Sequence, residues 1–180
     1  MTDDEIDRKI PGEDKLCKPH LRKIAKKIIE DFDKKNKNNE FEFLDYMKIS
    51  LWVKENIKYD LNYSGKQEMT AMEIYNMRVG ISHHFTRLSN ALLYSLGYKV
   101  IYIGGYACTN SKEFNNVLSH AWSLIKLNNK WYPFDSTWGI VSGKLPITHV
   151  FSCFFNKAWY LSGRDNAQFD KPVVRGKFIA

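Results

Sequence analysis

Cysteine is scarce in this chain, with three in 180 residues, Cys17, Cys108 and Cys153. An odd number at wide spacings, with no two separated by a two-residue gap, argues against both a disulfide framework and a paired-thiol zinc site. Long apolar runs are also missing, since none reaches the roughly 18 residues needed to span a bilayer. The start "MTDDEIDRKIPGEDK" lacks the apolar segment of a secretory signal. The expectation is therefore a cytoplasmic protein without membrane insertion. No cluster of acidic oxygen ligands suggests calcium, and "IGGYA" is too short, and lacks the following helix, to cradle a dinucleotide. No metal and no cofactor are expected.

Charge is not balanced, at +7 with a pI near 9.2, which raises the question of nucleic acid or an anionic membrane. The lysines are nevertheless interleaved with acids, as in "RKIAKKIIEDFDKKNKNN", the pattern of a solvated helix face. With no strand of the "RGFxF" kind either, nucleic acid is not an expected partner.

What is present is a core. Hydrophobic residues make up 44% and aromatics 14% of a chain long enough for one domain without covalent staples. Residues 1–19 mix charges with "PG" and "KPH" without a period and read as a flexible arm, leaving 20–180 as a single domain. Leu21, Ile24, Ala25, Ile28, Ile29 and Phe32 recur at helical spacing, and Leu44, Met47 and Leu51 predict a second helix within 42–58. Thr70 with Glu73 forms a capping-box pattern ahead of a short helix to Met77. Then "RVGISHHFTRLSNALLYSLGY" turns at Gly80, opens a helix carrying Phe85, Leu88, Leu92 and Leu96 on one side, and stops at Gly97. Beyond it the period becomes that of strands, in "KVIYIGGYA", "LSHAWSLIKL" and "KWYPFD". Asn128 and Asn129 lie between the last two, as a tight hairpin requires. Helices before strands give an α+β class.

Three polar residues at the edges of these elements make a minimum set for acyl transfer. Ser82 sits at a helix N-terminus, His120 in "LSHAW" and Asp135 at the end of "KWYPFD". The amides and partial positive charge of a helix start stabilise a thiolate or an oxyanion. Counting outward from the asparagine turn puts His120 and Asp135 within cross-strand or diagonal reach, suited to a carboxylate that fixes an imidazole tautomer.

The blocks "RVGISHHFTRLSNALLYSLGYKVIYIGGYA" and "SHAWSLIKLNNKWYPFDSTWG", with "WVKENIKYD" upstream, resemble the transglutaminase-like superfamily over about residues 42–140. The resemblance implies a papain-like core, in which a central helix carrying the nucleophile packs on an antiparallel sheet carrying base and acid. It implies His120 as general base, Asp135 as its partner, and a cysteine-peptidase or transamidase chemistry on protein or peptide substrates. The nucleophile position, a cysteine in the family, falls on Ser82. Loss of a triad nucleophile can cost up to about a million-fold in turnover, so this form is expected to be inactive. Three accounts of Ser82 stay open: a designed cysteine-to-serine replacement, a natural pseudoenzyme that binds proteins, and a working serine.

Blander readings exist for each residue. Ser82 fits a helix N-cap, His120 a half-buried strand position, and Asp135 a turn. Cys108, past "GGYA", reads as structural or incidental. His83 and His84 point about 100 degrees apart on a helix and do not form a metal pair. Most of the tryptophans, with Tyr106, read as core. Trp138, after the acid, and His83, beside position 82, are the substrate-contact candidates.

Overall fold

The computed structural model of the chain describes residues 2–8, 10–64, 69–107, 118–145 and 149–151. Cys108 and Cys153, named above, lie outside them, as does Trp159. The elements run α1 (Asp3–Arg8), α2 (Gly12–Leu16), α3 (Lys18–Lys35), α4 (Asp45–Asn56), β1 (Lys58–Tyr59), a 3-10 turn (Leu61–Tyr63), α5 (Ala71–Met77), β2 (Val79–Gly80), α6 (Ser82–Ser95), β3 (Lys99–Ala107), β4 (Leu118–Leu127), β5 (Lys130–Phe134) and β6 (His149–Phe151). The α+β class follows, with the strands predicted from "KVIYIGGYA", "LSHAWSLIKL" and "KWYPFD" becoming β3, β4 and β5.

The larger sheet is antiparallel, in the order β5-β4-β3-β6. Asn128 and Asn129 both take positive φ, 49° and 64°, the mirror-image turn whose twist matches a two-residue hairpin. That turn sets the register Ser123↔Phe134 and Lys126↔Trp131. Because side chains alternate across a sheet, Val100, Ile125 and Phe134 then face one way. There they join Leu21, Ile28, Ile49, Val53, Ile74, Leu88 and Leu92 of the helices in the main core. Ile101, Ile103, Trp122, Leu124 and Trp131 form a second core on the opposite face. The stripes read for α3 and α6 are thus their buried sides, whereas the stripe read for α4 is not: Leu44 is exposed and Met47 and Leu51 are half-buried, while Tyr46, Ile49, Ser50 and Val53 face the core.

The first 19 residues differ from the expected arm. Ile6 of α1 is buried with Ile101, Ile103, Trp122 and Leu145, closing the second core that the helices leave open. Asp14 of α2, 1% exposed, accepts from the Ala71 amide at the start of α5 and from Arg87 Nε of α6, each at 2.9 Å. Helices of six and five residues are too short to show a period, and for that reason the sequence reads as structureless there.

The segment entering α6 is fixed from both sides. Thr70 and Glu73 form the predicted capping box, with Glu73 N donating to Thr70 Oγ1 at 3.2 Å and Thr70 N donating to Glu73 Oε2 at 2.7 Å. Beyond α5, β2 pairs in parallel with β1 through Lys58 N to Arg78 O and Asp60 N to Gly80 O.

Asp14→Ala strips the partner from a mostly buried guanidinium and leaves the Ala71 amide unpaired. The expected loss of unfolding free energy in urea is about 3 kcal/mol, against less than about 0.5 for the exposed Asp4→Ala. Equal effects from the two would mean that α2 is not docked.

Candidate active site

Ser82 is the first residue of α6 and is 5% exposed. It does not cap the helix, because the preceding residue, Ile81, occupies the cap position with extended backbone. The Ile81 amide is instead taken by His84 Nδ1 at 3.0 Å, a side chain from the first turn reaching back. Gly80 permits this, since a Cβ there would lie 2.5 Å from His84 Cβ. The bland reading of Ser82 as the cap is therefore not what the structure has, and the hydroxyl is left at the helix start without that task. Its own amide sits in the first turn, where N–H groups have no intrahelical acceptor.

Across the sheet, His120 and Asp135 are brought into contact. The β4–β5 register, continued one residue past Phe134, puts Asp135 opposite Trp122 and diagonal to His120. His120 Nε2 lies 2.7 Å from Asp135 Oδ2. The same oxygen receives a second imidazole, His149 Nε2 at 3.0 Å, supplied by β6. Oδ1 accepts the amides of Thr137 at 2.8 Å and Trp138 at 3.3 Å. Asp135 is 0% exposed, so its carboxylate meets four donors and no bulk water. Burial pushes its pKa up. The hydrogen bonds from His120 and His149 and their positive charge when protonated outweigh burial, and hold the carboxyl well below the ordinary carboxylate range.

A carboxylate without a proton only accepts. Both imidazoles therefore donate through Nε2–H, and in the neutral form of His120 the lone pair lies on Nδ1. This is the tautomer a general base needs when its far nitrogen is held by an acid. His149 is the residue that sequence reasoning missed.

Of the other candidates, Trp138 stacks on His120, with ring centroids 4.5 Å apart and planes 20° apart, forming one wall around the base. His83 lies beside Tyr102 of β3, its Nδ1 2.9 Å from the phenol oxygen. Trp122 and Trp131 are core as expected, whereas Tyr106 is 40% exposed, because it lies at the far end of β3 beyond the covering helices.

Ser82 makes no hydrogen bond to His120 or Asp135. What links the two sides is a chain of buried hydroxyls, in which Ser136, next to Asp135, meets Ser89 of α6 at 2.6 Å and Ser50 of α4 at 3.0 Å. Ser89 is seven residues beyond Ser82, and two helical turns return to nearly the same face. The face of α6 that bears Ser82 is thus the face on which the Asp135 turn is anchored, about 10 Å further along the axis.

Among the described residues, His120, Asp135 and His149 are also the group whose donor atoms converge within 4.8 Å, as metal ligands do. Two ligands on one tetrahedral zinc stay about 3.3 Å apart, given zinc–ligand bonds of about 2.0 Å. The 2.7 and 3.0 Å contacts are shorter and are those of hydrogen bonds. No helix among the described residues is long and apolar enough to cross a membrane.

The family model for the transglutaminase-like superfamily matches residues 24–136, more than half of the chain and inclusive of Ser82, His120 and Asp135. Kyphoscoliosis peptidase from Homo sapiens is 24% identical over 122 residues, taking in 63% of this chain and 18% of the relative. The Mus musculus protein of the same name is 23% identical with the same coverage. The chain thus spans about a fifth of the length of these curated relatives. A crystal structure of a candidate cysteine protease from Cytophaga hutchinsonii has the same fold, with a TM-score of 0.52 and 24% identity over 68% of this chain and 38% of that one.

The depressed carboxyl fixes a pH signature. Asp135 contributes stability above its ordinary value of 3.8, and loses it as pH falls from there toward its lower folded value. Between about pH 4 and 2, the unfolding free energy of the wild type should fall more steeply than that of Asp135→Asn, by up to about 1.4 kcal/mol per pH unit. Parallel slopes would mean that Asp135 is not held as an anion.

Proposed function

As the chain belongs to the transglutaminase-like superfamily, we propose that its site is built for acyl transfer on protein amide or peptide bonds, with a serine where the chemistry calls for a thiol. The observation that carries this reading is the 2.7 Å contact of His120 Nε2 with the buried Asp135 Oδ2, which with the carboxyl ionised commits Nε2–H to the anion and leaves Nδ1 as base.

In the complete reaction, the nucleophile at position 82 attacks the carbonyl carbon as its proton passes to His120 Nδ1. The oxyanion is stabilised at the N-terminus of α6, with the residue 82 amide as one donor. Collapse expels the amine, which takes the proton from His120, and leaves an acyl-enzyme. Water or a second amine then releases the acyl group, giving hydrolysis or transamidation from the same intermediate. Trp138 and His83 are the proposed substrate contacts.

Serine weakens the first step. A thiol ionises near pH 8.5 and lower beside an imidazolium, whereas an alcohol does not ionise at neutral pH, so the thiolate–imidazolium pair cannot form. The form described here is proposed to turn over little or not at all, and the same holds whether the serine was set by design or by nature. A second reading, a non-catalytic module that binds protein segments, is favoured by the serine itself.

Ser82→Cys separates the two. The thiol at position 82 should alkylate with iodoacetamide at neutral pH at least about tenfold faster than Cys17, mapped by peptide mass spectrometry, and the excess should vanish with His120→Ala. Cleavage or amine incorporation should appear in a protein substrate. A variant that neither labels preferentially nor cleaves or crosslinks any tested protein would leave the binding module standing.

A further inference from the structure

His149 is a feature that acyl transfer does not require. A nucleophile, a base and one carboxylate complete the reaction, yet a second imidazole, 0% exposed, is brought from β6 onto the oxygen that His120 already uses. It is packed for the purpose. Its ring is edge-on to Trp122 at 5.1 Å, to Trp138 at 5.0 Å and to His120 at 5.5 Å. Among its contacts with described residues, the titratable groups include His120 on β4 and Asp135 after β5, while Trp122 and Trp138 carry no charge.

We propose that His149 is a positioning residue of the active site, which donates its Nε2–H to Asp135 Oδ2 and sets both the tautomer and the basicity of His120. The inference rests on the acyl-transfer reading for its purpose, and on the hydrogen-bond geometry alone for its existence.

Two consequences follow from one oxygen serving two donors. A buried carboxylate that receives four hydrogen bonds has no incentive to hold a proton, so His120 meets an acceptor throughout the working pH range and its proton stays on Nε2. An oxygen shared with His149 also offers less charge to His120 than one serving His120 alone, and this restrains the stability of the imidazolium. Removing the His149 N–H should leave Oδ2 to His120 and raise the midpoint of His120.

The test uses the ¹⁵N-histidine-labelled 180-residue chain and reads ring nitrogens by NMR, which needs no catalysis. In the wild type, His120 and His149 should both carry the proton on Nε2 at neutral pH. A proton on Nδ1 of His149 overturns the proposal without any variant. His149→Leu, or His149→Phe should the leucine variant not fold, should raise the His120 midpoint by about one pH unit. His149→Gln, whose amide nitrogen reaches where Nε2 stood, should keep it within a few tenths. A folded leucine or phenylalanine variant with an unchanged or lowered midpoint would reduce His149 to packing. In the Ser82→Cys background, the pH profile of alkylation should follow the same shifts. If that variant does not react at all, the catalytic reading fails while the NMR result still decides the placement of His149.

Discussion

Everything in this site depends on keeping one carboxylate ionised without water. Asp135 is fully buried, and an anion in that setting costs several kcal/mol unless its lone pairs are met. They are met by donors from four positions, His120, Thr137, Trp138 and His149. Two come from the turn that follows β5, one from β4 and one from β6, which are separated across the sheet by β3. The sheet order β5-β4-β3-β6 is therefore what the carboxylate needs, and the carboxylate in turn ties the sheet's last strand to its first hairpin. Structure and chemistry share a constraint here, because the bonds that make the anion tolerable also assign the proton on His120.

The helical side is organised around a different requirement, a helix start that is satisfied without using the residue at position 82. His84 folds back to take the Ile81 amide, and Gly80 leaves room for it. Ser82, which would be expected to cap the helix, is relieved of that role and sits within the first turn's positive field. Ser50, Ser89 and Ser136 then join α4, α6 and the Asp135 turn through buried hydroxyl–hydroxyl hydrogen bonds. The helix and the Asp135 turn, built by local and by long-range contacts, are held in one frame.

Much of this was legible in the sequence, and the parts that were not share a cause. The stripe of α3, the capping box of α5, the asparagine hairpin and the diagonal pairing of His120 with Asp135 all follow from local periods or from counting out of a turn. α1 and α2 are too short for a period, and their burial depends on distant partners: the second face of the sheet, about a hundred residues later, for α1, and the start of α5 and Arg87 of α6 for α2. His149 lies in a three-residue strand, in "ITHVF", where nothing local marks it. Its meaning comes only from β6 pairing with β3 and reaching the same oxygen as His120. The cap made by His84 was hidden because histidine is not a favoured capping residue.

On the proposed reading, a base with a fixed tautomer and an ionised acid serve a hydroxyl that stands in the field of a helix start. Such surroundings are wasted on an alcohol and act strongly on a thiol, which they should ionise far below its usual range. The most direct measurement is the ultraviolet thiolate absorbance of Ser82→Cys, minus that of the wild type, followed across pH. The account predicts a midpoint at least about two units below the ordinary 8.5, lost with His120→Ala. A midpoint at or above 8.5 would contradict it.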